Sequence, residues 1–453
     1  MDKRFQVFQR MKINNSIKEF EMDNDDKKYI PSLRFPEFLN DGEWEIRKLS
    51  NIAIRKNKKN KLGSRLPIYT NSAVNGVVNQ EDFFDREIVT KDNLVNYGII
   101  ESNDFVYNPR VSTAAPVGPI SRNKLSKGIM SPLYLIFGFE KGNLDFFEYY
   151  FKGSGWHNYL KAKANYGARF DRINITTDDF MDMPIPYPHI TEQKKIADCL
   201  SSLDKYINAT KQKLQQLIEH KKGLMQRLFP AKGKTIPELR FPEFKDDGEW
   251  EILPLDNDIF PFVSNNTLSR AELNYNSGIV QNVHYGDVLI KYREYLNVKN
   301  EKLPFITDTQ NVQKYDNAKL ENGDIIIADT AEDETVGKCT EIQEIANKII
   351  VSGLHTIAIR SKIKFAKYYL GFYMNSNSFR EQIYHLMQGI KVLSISKTAI
   401  RQTKICFPKS LIEQSKIAGC LLDLDNSIIS FENKIKALEL HKKGLMQQLF
   451  PKL

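Results

Sequence analysis

The chain has 453 residues, 41% of them apolar, and its 65 Lys and Arg against 56 Asp and Glu leave a formal charge of +9. That length is too great for a single core and suits two or more domains. No run approaches eighteen continuous apolar residues, and Met1-Asp2-Lys3-Arg4-Phe5-Gln6 lacks the apolar core of a secretory signal, so neither a membrane span nor export is expected and the protein reads as cytoplasmic.

Residues 1–30 are predicted to be a flexible leader, charged and amide-rich up to Lys28. A first module, 31–188, opens on Leu33-Arg34-Phe35-Pro36-Glu37-Phe38 and Gly42-Glu43-Trp44-Glu45-Ile46. Its interior reads as mixed structure, with short strands at Leu66–Thr70, Asp104–Tyr107 and Leu133–Phe137 and an aromatic-rich helical segment from Phe146 to Phe151. It ends in a Pro-bearing strand, Ile185-Pro186-Tyr187-Pro188, where proline stops the strand and sets the approach to a helix.

That helix, 189–230, starts at Glu192-Gln193-Lys194-Lys195-Ile196-Ala197 and runs through His220-Lys221-Lys222-Gly223-Leu224-Met225-Gln226. Its apolar positions Ile196, Leu200, Leu203, Ile207, Leu214 and Leu217 continue to Leu224 and Leu228 in alternating steps of four and three, with Thr210 and Lys221 in the two remaining slots. This is a heptad seam, and almost forty residues at 1.5 Å each make a helix of about 60 Å. A single apolar stripe of that length cannot bury itself and needs a partner of matching pitch.

The chain then repeats itself. After a linker, a second module (231–408 in all) opens on Leu239-Arg240-Phe241-Pro242-Glu243-Phe244 and Gly248-Glu249-Trp250-Glu251-Ile252. Strands are predicted at Asp324–Ala328 and His355–Ile359, a helix from Phe365 to Met374, and a closing strand at Ile405-Cys406-Phe407-Pro408. A final helix, 409–453, begins Glu413-Gln414-Ser415-Lys416-Ile417-Ala418 and carries the same seam at Ile417, Leu421, Leu424, Ile428, Phe431, Ile435 and Leu438, with Lys442 in the slot of Lys221. The openings are displaced by 206 residues and the helices by 221, so the second interior is longer by about fifteen. One unit is written twice with its ends kept and its middle changed, which suggests one docking scheme and two specificities. The fold class is α+β: two mixed, strand-rich modules joined by two long antiparallel helices in a coiled coil, with a pseudo-twofold internal duplication.

Catalytic chemistry is not legible. Gly233-Lys234-Thr235 resembles the tail of a phosphate-binding loop, but the glycine required five positions earlier is Leu228. Glu219-His220-Lys221 has the Glu-x-Lys spacing of a nuclease metal site, yet its copy is Leu440-His441-Lys442. There is no H-E-x-x-H motif and no Asn/Asp-Pro-Pro-aromatic loop of an adenine methyltransferase. Cys199, Cys339, Cys406 and Cys420 lack CxxC spacing, so zinc and redox readings fail; Cys199 and Cys420, at equivalent helix positions, read as small buried hydrophobes. No metal or cofactor is expected on this chain.

The densest cationic run holds Lys56, Lys58, Lys59 and Lys61, followed by Arg65, in a loop that suits either phosphate contact or a solvated face. Arg110, Arg122, Lys161, Lys163, Arg169 and Arg172, with Tyr166 and Phe170 nearby, extend the candidates for DNA contact in the first interior. In the second they are Lys291, Arg293, Lys299, Lys302, Lys338 and Lys391. Arginine reads guanine edges and asparagine or glutamine reads adenine, but most such residues contact phosphate or water.

The duplicated layout, with its Leu-Arg-Phe-Pro-Glu-Phe openings and its Glu-Gln helix starts shortly after a proline, resembles the specificity subunit of Type I restriction-modification enzymes over residues 31–453. Pro408 stands one residue further from Glu413-Gln414 than Pro188 does from Glu192-Gln193, a small departure. The resemblance implies two target-recognition domains that each read half of an asymmetric, split sequence in double-stranded DNA, with the helices as spacer. It further implies docking of two methyltransferase subunits and, through them, motor-nuclease (restriction) subunits, so that S-adenosylmethionine, ATP and Mg belong to the partners and this chain is a non-catalytic reader. Lys221 and Lys442, which interrupt the seam, are candidates for partner docking; alternatively their stems pack while the amines reach water. The rival readings are a free-standing tandem-repeat DNA-binding regulator and a coiled-coil scaffold without nucleic acid.

Overall fold

The computed structural model describes residues 29–82, 91–164, 171–308 and 312–452, without the side chains of 91–93. The expected leader up to Lys28 lies outside these residues, as do Tyr166, Arg169 and Phe170. The chain divides into two compact units, Met1–Thr210 with Lys434–Leu453, and Lys211–Asn433. Each therefore owns one strand-rich module, the start of one long helix and the end of the other.

The first unit comprises β1 (Glu45–Lys48), β2 (Ala53–Arg55), β3 (Ile68–Ser72), β4 (Gly76–Asn79), β5 (Gly98–Ile100), β6 (Phe105–Tyr107), β7 (Ile120–Arg122), β8 (Gly128–Met130), β9 (Leu135–Phe139), α1 (Leu144–Lys152), α2 (His157–Lys163), α3 (Thr177–Met181), β10 (Pro184–Tyr187) and the start of α4 (Ile190–Leu228). One sheet runs β2-β9-β6-β7, all antiparallel; another runs β4-β3-β8-β5, with β3 and β8 parallel. The Asn143 side chain accepts from Phe146 N and caps α1, whose residues from Phe146 to Phe151 are all buried. Phe151 packs near Phe105 and Phe137 of the first sheet, so α1 is wedged between sheet and long helix in one continuous core.

The second unit holds the end of α4 and then β11 (Glu251–Pro254), β12 (Phe262–Val263), β13 (Leu273–Asn274), β14 (Val280–Val283), α5 (Tyr285–Ile290), β15 (Tyr295–Asn297), β16 (Phe305–Ile306), β17 (Ile325–Ala328), β18 (Thr330–Ala331), β19 (Cys339–Gln343), β20 (Ile349–Ser352), β21 (Thr356–Ile359), α6 (Tyr369–Asn375), α7 (Asn377–Tyr384), β22 (Leu393–Ser394), α8 (Lys397–Ile400), β23 (Lys404–Phe407) and the start of α9 (Leu411–Gln448). Its sheet β12-β21-β17-β19 reproduces β2-β9-β6-β7, and the parallel pair β14–β20 reproduces β3–β8. The interiors, different in sequence, thus share this part of their strand order.

The added length has a place. β3 passes to β4 through residues 73–75, whereas β14 passes to its antiparallel neighbour β16 through 284–304, which carries α5 and β15 and lays β15 on the free edge of β19. The predicted helix from Phe365 begins only at Tyr369, because Tyr368 adopts φ +69° and Glu341 accepts from the backbone N–H groups of Tyr368 and Gly371, satisfying amides that a first turn leaves open.

Burial pushes the Glu341 carboxyl up from 4.5 to about 7. The unfolded chain then loses this proton at a lower pH than the folded one, so the group's stabilisation is present below about 4.5 and lost as pH rises through about 7. Glu341→Gln is expected to remove about 2 kcal/mol of the difference in unfolding free energy between pH 5 and pH 8. Denaturant unfolding at the two pH values checks this, and identical pH dependence in both proteins would refute it.

In each unit the helix halves run in opposite senses. In the first, Asp204 meets Lys442 and the Tyr206 ring meets Lys434; in the second, Lys221 meets Asp425, and Ile218 and Ile428 line one cleft. Ile196, Leu200, Leu203, Ile207, Ile417, Leu421, Ile428, Ile435 and Leu438 are buried, whereas Leu214, Leu217, Leu424 and Phe431 are half-buried. The seam thins where polar residues occupy its slots: Thr210 returns its hydroxyl to Tyr206 O, and Lys221 and Asp425 fill the next. Cys199 and Cys420 are half-buried and Cys339 and Cys406 buried, all as free thiols.

Candidate nucleic-acid interface

Leaving β2, the chain anchors itself twice before it turns. Lys56 N donates to Ile136 O, and Asn60 N donates to Tyr97 O. Asn60 is 2% exposed; its side chain donates to Ser64 O and accepts from Ser64 N, while Gly63, at φ +60°, donates to Asn60 O. A buried asparagine thus pins a tight turn whose outward residues are Lys58, Lys59, Lys61, Leu62 and Arg65. Among the described residues none of these four cations forms an ion pair. Charge held on a rigid turn and left unneutralised is what phosphate contact requires.

Other candidates are sorted by their partners. Arg110 is exposed and lies on a backbone bridge to Arg172, which brings two cations together; Arg172 is half-buried, with its Nε unsatisfied and Asp171 3.8 Å away. Lys161 is exposed on α2. Lys391 sits beside the fully exposed Ile390 at the tip of a hairpin closed by reciprocal backbone bonds between Gln388 and Ser394; Gly389, at φ +121°, lets the chain reverse there. Lys302 lies over the Tyr275 ring.

Several cations singled out from sequence as candidates for DNA contact have partners within the chain. Arg122 donates to Asn103 and Asp145 and lies 3.7 Å from Glu148. Arg293 donates to Asp425 and Glu432, Lys299 pairs with Glu344, and Lys291 with Glu301. The Lys338 amine is half-buried, donates to Leu289 O, and is lowered from its ordinary pKa by burial. Runs of charge in sequence cannot distinguish these from free cations, because partners such as Asp145 for Arg122 and Asp425 for Arg293 come from distant segments.

Lys221 and Lys442, the candidates for partner docking, also have partners within the chain. Lys221 is 8% exposed and donates to both oxygens of Asp425 and to Glu294; Lys442 pairs with Asp204, which also accepts from Tyr149 OH at 2.8 Å. Both amines face carboxylates of this chain. Asp425 is 0% exposed, and burial raises its pKa despite the neighbouring cations.

Sequence reading missed what the repeated signatures do. Arg34 donates through Nε and Nη2 to the two oxygens of Glu192, each at 2.7 Å, and through Nη1 to Gly42 O; Arg240 does the same with Glu413 and Gly248 O. Gln193 accepts from Asn143 N and donates to Pro188 O, as Gln414 does with Ala366 N and Pro408 O. Opening and helix start are one joint, and their joint repetition was the available signal.

Among the described residues no helix is long and apolar enough to cross a membrane. The chain is 26% identical over 282 residues to the specificity subunit of the Type I restriction enzyme MjaVIII of Methanocaldococcus jannaschii, covering 60% of this chain and 62% of that one. It is 31% identical over 158 residues to the MjaX specificity subunit of the same organism, 33% of this chain and 35% of that one. These matches therefore span less than two thirds of either relative. In fold the chain is similar to one from a type I R-M system solved for its complex assembly and conformational transition, with a TM-score of 0.53 and 15% identity over 90% of this chain and 96% of that one. Matched by the Type I restriction modification DNA specificity domain over residues 41–220 and again over 247–440, well over half its length and once per repeat, the chain belongs to that family.

Proposed function

We propose that the chain is the non-catalytic reader of a Type I restriction-modification enzyme: its two strand-rich modules each recognise half of a split, asymmetric sequence in double-stranded DNA. Two methyltransferase subunits dock on it, and motor-nuclease subunits join through them in the cytoplasm. S-adenosylmethionine, ATP and Mg are then used by the partners. The observation that carries this reading is the duplication, one strand order built twice from unlike sequences on repeated joints, in a family of DNA specificity domains. Like scaffolds with unlike surfaces suit two half-sites of different sequence.

Selection of DNA by the full chain from a random library tests the reading: a motif of two fixed half-sites with an unread gap is expected, and its absence would refute it. Changing Lys58, Lys59, Lys61 and Arg65 together to glutamine is expected to lower affinity and to flatten the salt dependence of log K by about 3.6, roughly 0.9 for each phosphate no longer neutralised. An unchanged slope would leave the pinned turn a solvated face.

A further inference from the structure

The two Lys–Asp pairs are copies of one site. Lys221 and Lys442, and Asp204 and Asp425, are separated by the same 221 residues that relate the helices. In each unit the lysine also lies over a ring of the helix wedged beneath the stalk, Lys442 over Tyr149 at 5.5 Å and Lys221 over Phe372 at 5.2 Å. The backbone confirms that these rings correspond, because Gln193 caps the chain at Asn143 and Gln414 at Ala366, each six residues before its ring.

The copies are completed differently. In the first unit the Tyr149 hydroxyl donates to Asp204. Phe372 has no hydroxyl, and the second unit uses Arg293 on Asp425 at 3.1 Å and Glu294 on Lys221 at 2.8 Å instead. Arg293 and Glu294 belong to segment 284–304, the added stretch without a counterpart between β3 and β4.

Each module is consequently fastened to its helix pair at two points. One is the joint at Glu192 or Glu413, the other is Asp204 or Asp425, twelve residues further along and about 18 Å away at 1.5 Å per residue. A single fastening is a pivot, whereas two fix the tilt. A slip of about 2 Å at the second point becomes about 4 Å at twice that lever, more than one base-pair step of roughly 3.4 Å.

We propose that these sites are orientation locks that set the unread gap between half-sites, with Tyr149 the positioning residue of the first module and Arg293 with Glu294 those of the second. This rests on the DNA-reading function proposed above. The test is selection by the full chain from a library in which the gap is randomised, for wild type, Tyr149→Phe and Arg293→Gln/Glu294→Gln, with thermal melting alongside. Both variants are expected to keep the half-site bases while preference for the native gap over gaps one base pair longer or shorter falls about threefold to tenfold, the worth of one or two hydrogen bonds. Adding Phe372→Tyr to the double variant supplies the first unit's hydroxyl at the second site and is expected to restore the preference, which separates positioning from general destabilisation. Unchanged gap preference in both variants, altered half-site bases, or no recovery with Phe372→Tyr overturns the lock while leaving the reader intact. A wild-type chain that selects no split site overturns both.

Discussion

Arg34→Ala is expected to cost the first unit about 3–5 kcal/mol, the range for breaking a buried ion pair from one side. Arg34 is 6% exposed and Glu192 1%, and the guanidinium meets both carboxylate oxygens while its remaining nitrogen holds Gly42 O. Without it the carboxylate keeps, among the described residues, only the Trp44 indole, at 3.2 Å, and a buried carboxylate without its cation is costly. The same indole packs at 6.4 Å from Phe450, so the loss propagates to the chain end that Leu33 also holds through Gln448 O. Removing both charges with Arg34→Met/Glu192→Leu is expected to cost less, since no charge is left unpaired and only the Trp44 indole and Gly42 O lose a partner. Urea unfolding of the full chain decides; a loss below about 1 kcal/mol for Arg34→Ala would show that the joint is not closed in solution.

Periodicity made the long helices legible, because a heptad seam is a local pattern; α4 covers 39 residues and α9 38. The short strands were legible to within about two residues where apolar runs such as Ile325–Ala328 are buried on both faces. Their shared order was not, since pairings such as β3 with β8 join segments about sixty residues apart and leave no local mark. The same limit governs the site. The cationic turn at Lys58, Lys59 and Lys61 was visible as composition, but that Asn60 pins it, or that Arg122 and Arg293 are spent on carboxylates, depends on tertiary neighbours. Lys221 is instructive: a lysine in an apolar seam leaves its partner open from sequence, and the aspartate of the other helix that it meets is a tertiary neighbour.

Lys221→Met is expected to be the costliest change in the second unit, about 3–5 kcal/mol. It leaves Asp425, 0% exposed, with the Arg293 guanidinium alone, and removes the cation that Glu294 accepts from. Burial already disfavours the Asp425 charge, as the direction of its pKa shift indicates, so losing Lys221 moves it further toward the protonated form. The sign follows: Lys221→Met is expected to destabilise least at low pH, where Asp425 is neutral, and increasingly as pH rises past the ordinary carboxylate range. Asp425→Leu in the same chain removes the under-compensated charge and is expected to recover most of the loss, whereas Asp425→Leu alone leaves the lysine with Glu294 as its one carboxylate. A double-mutant cycle by denaturant unfolding measures this coupling. Additive effects would mean that the two side chains do not meet, and the register assigned to the helix halves would fall with them.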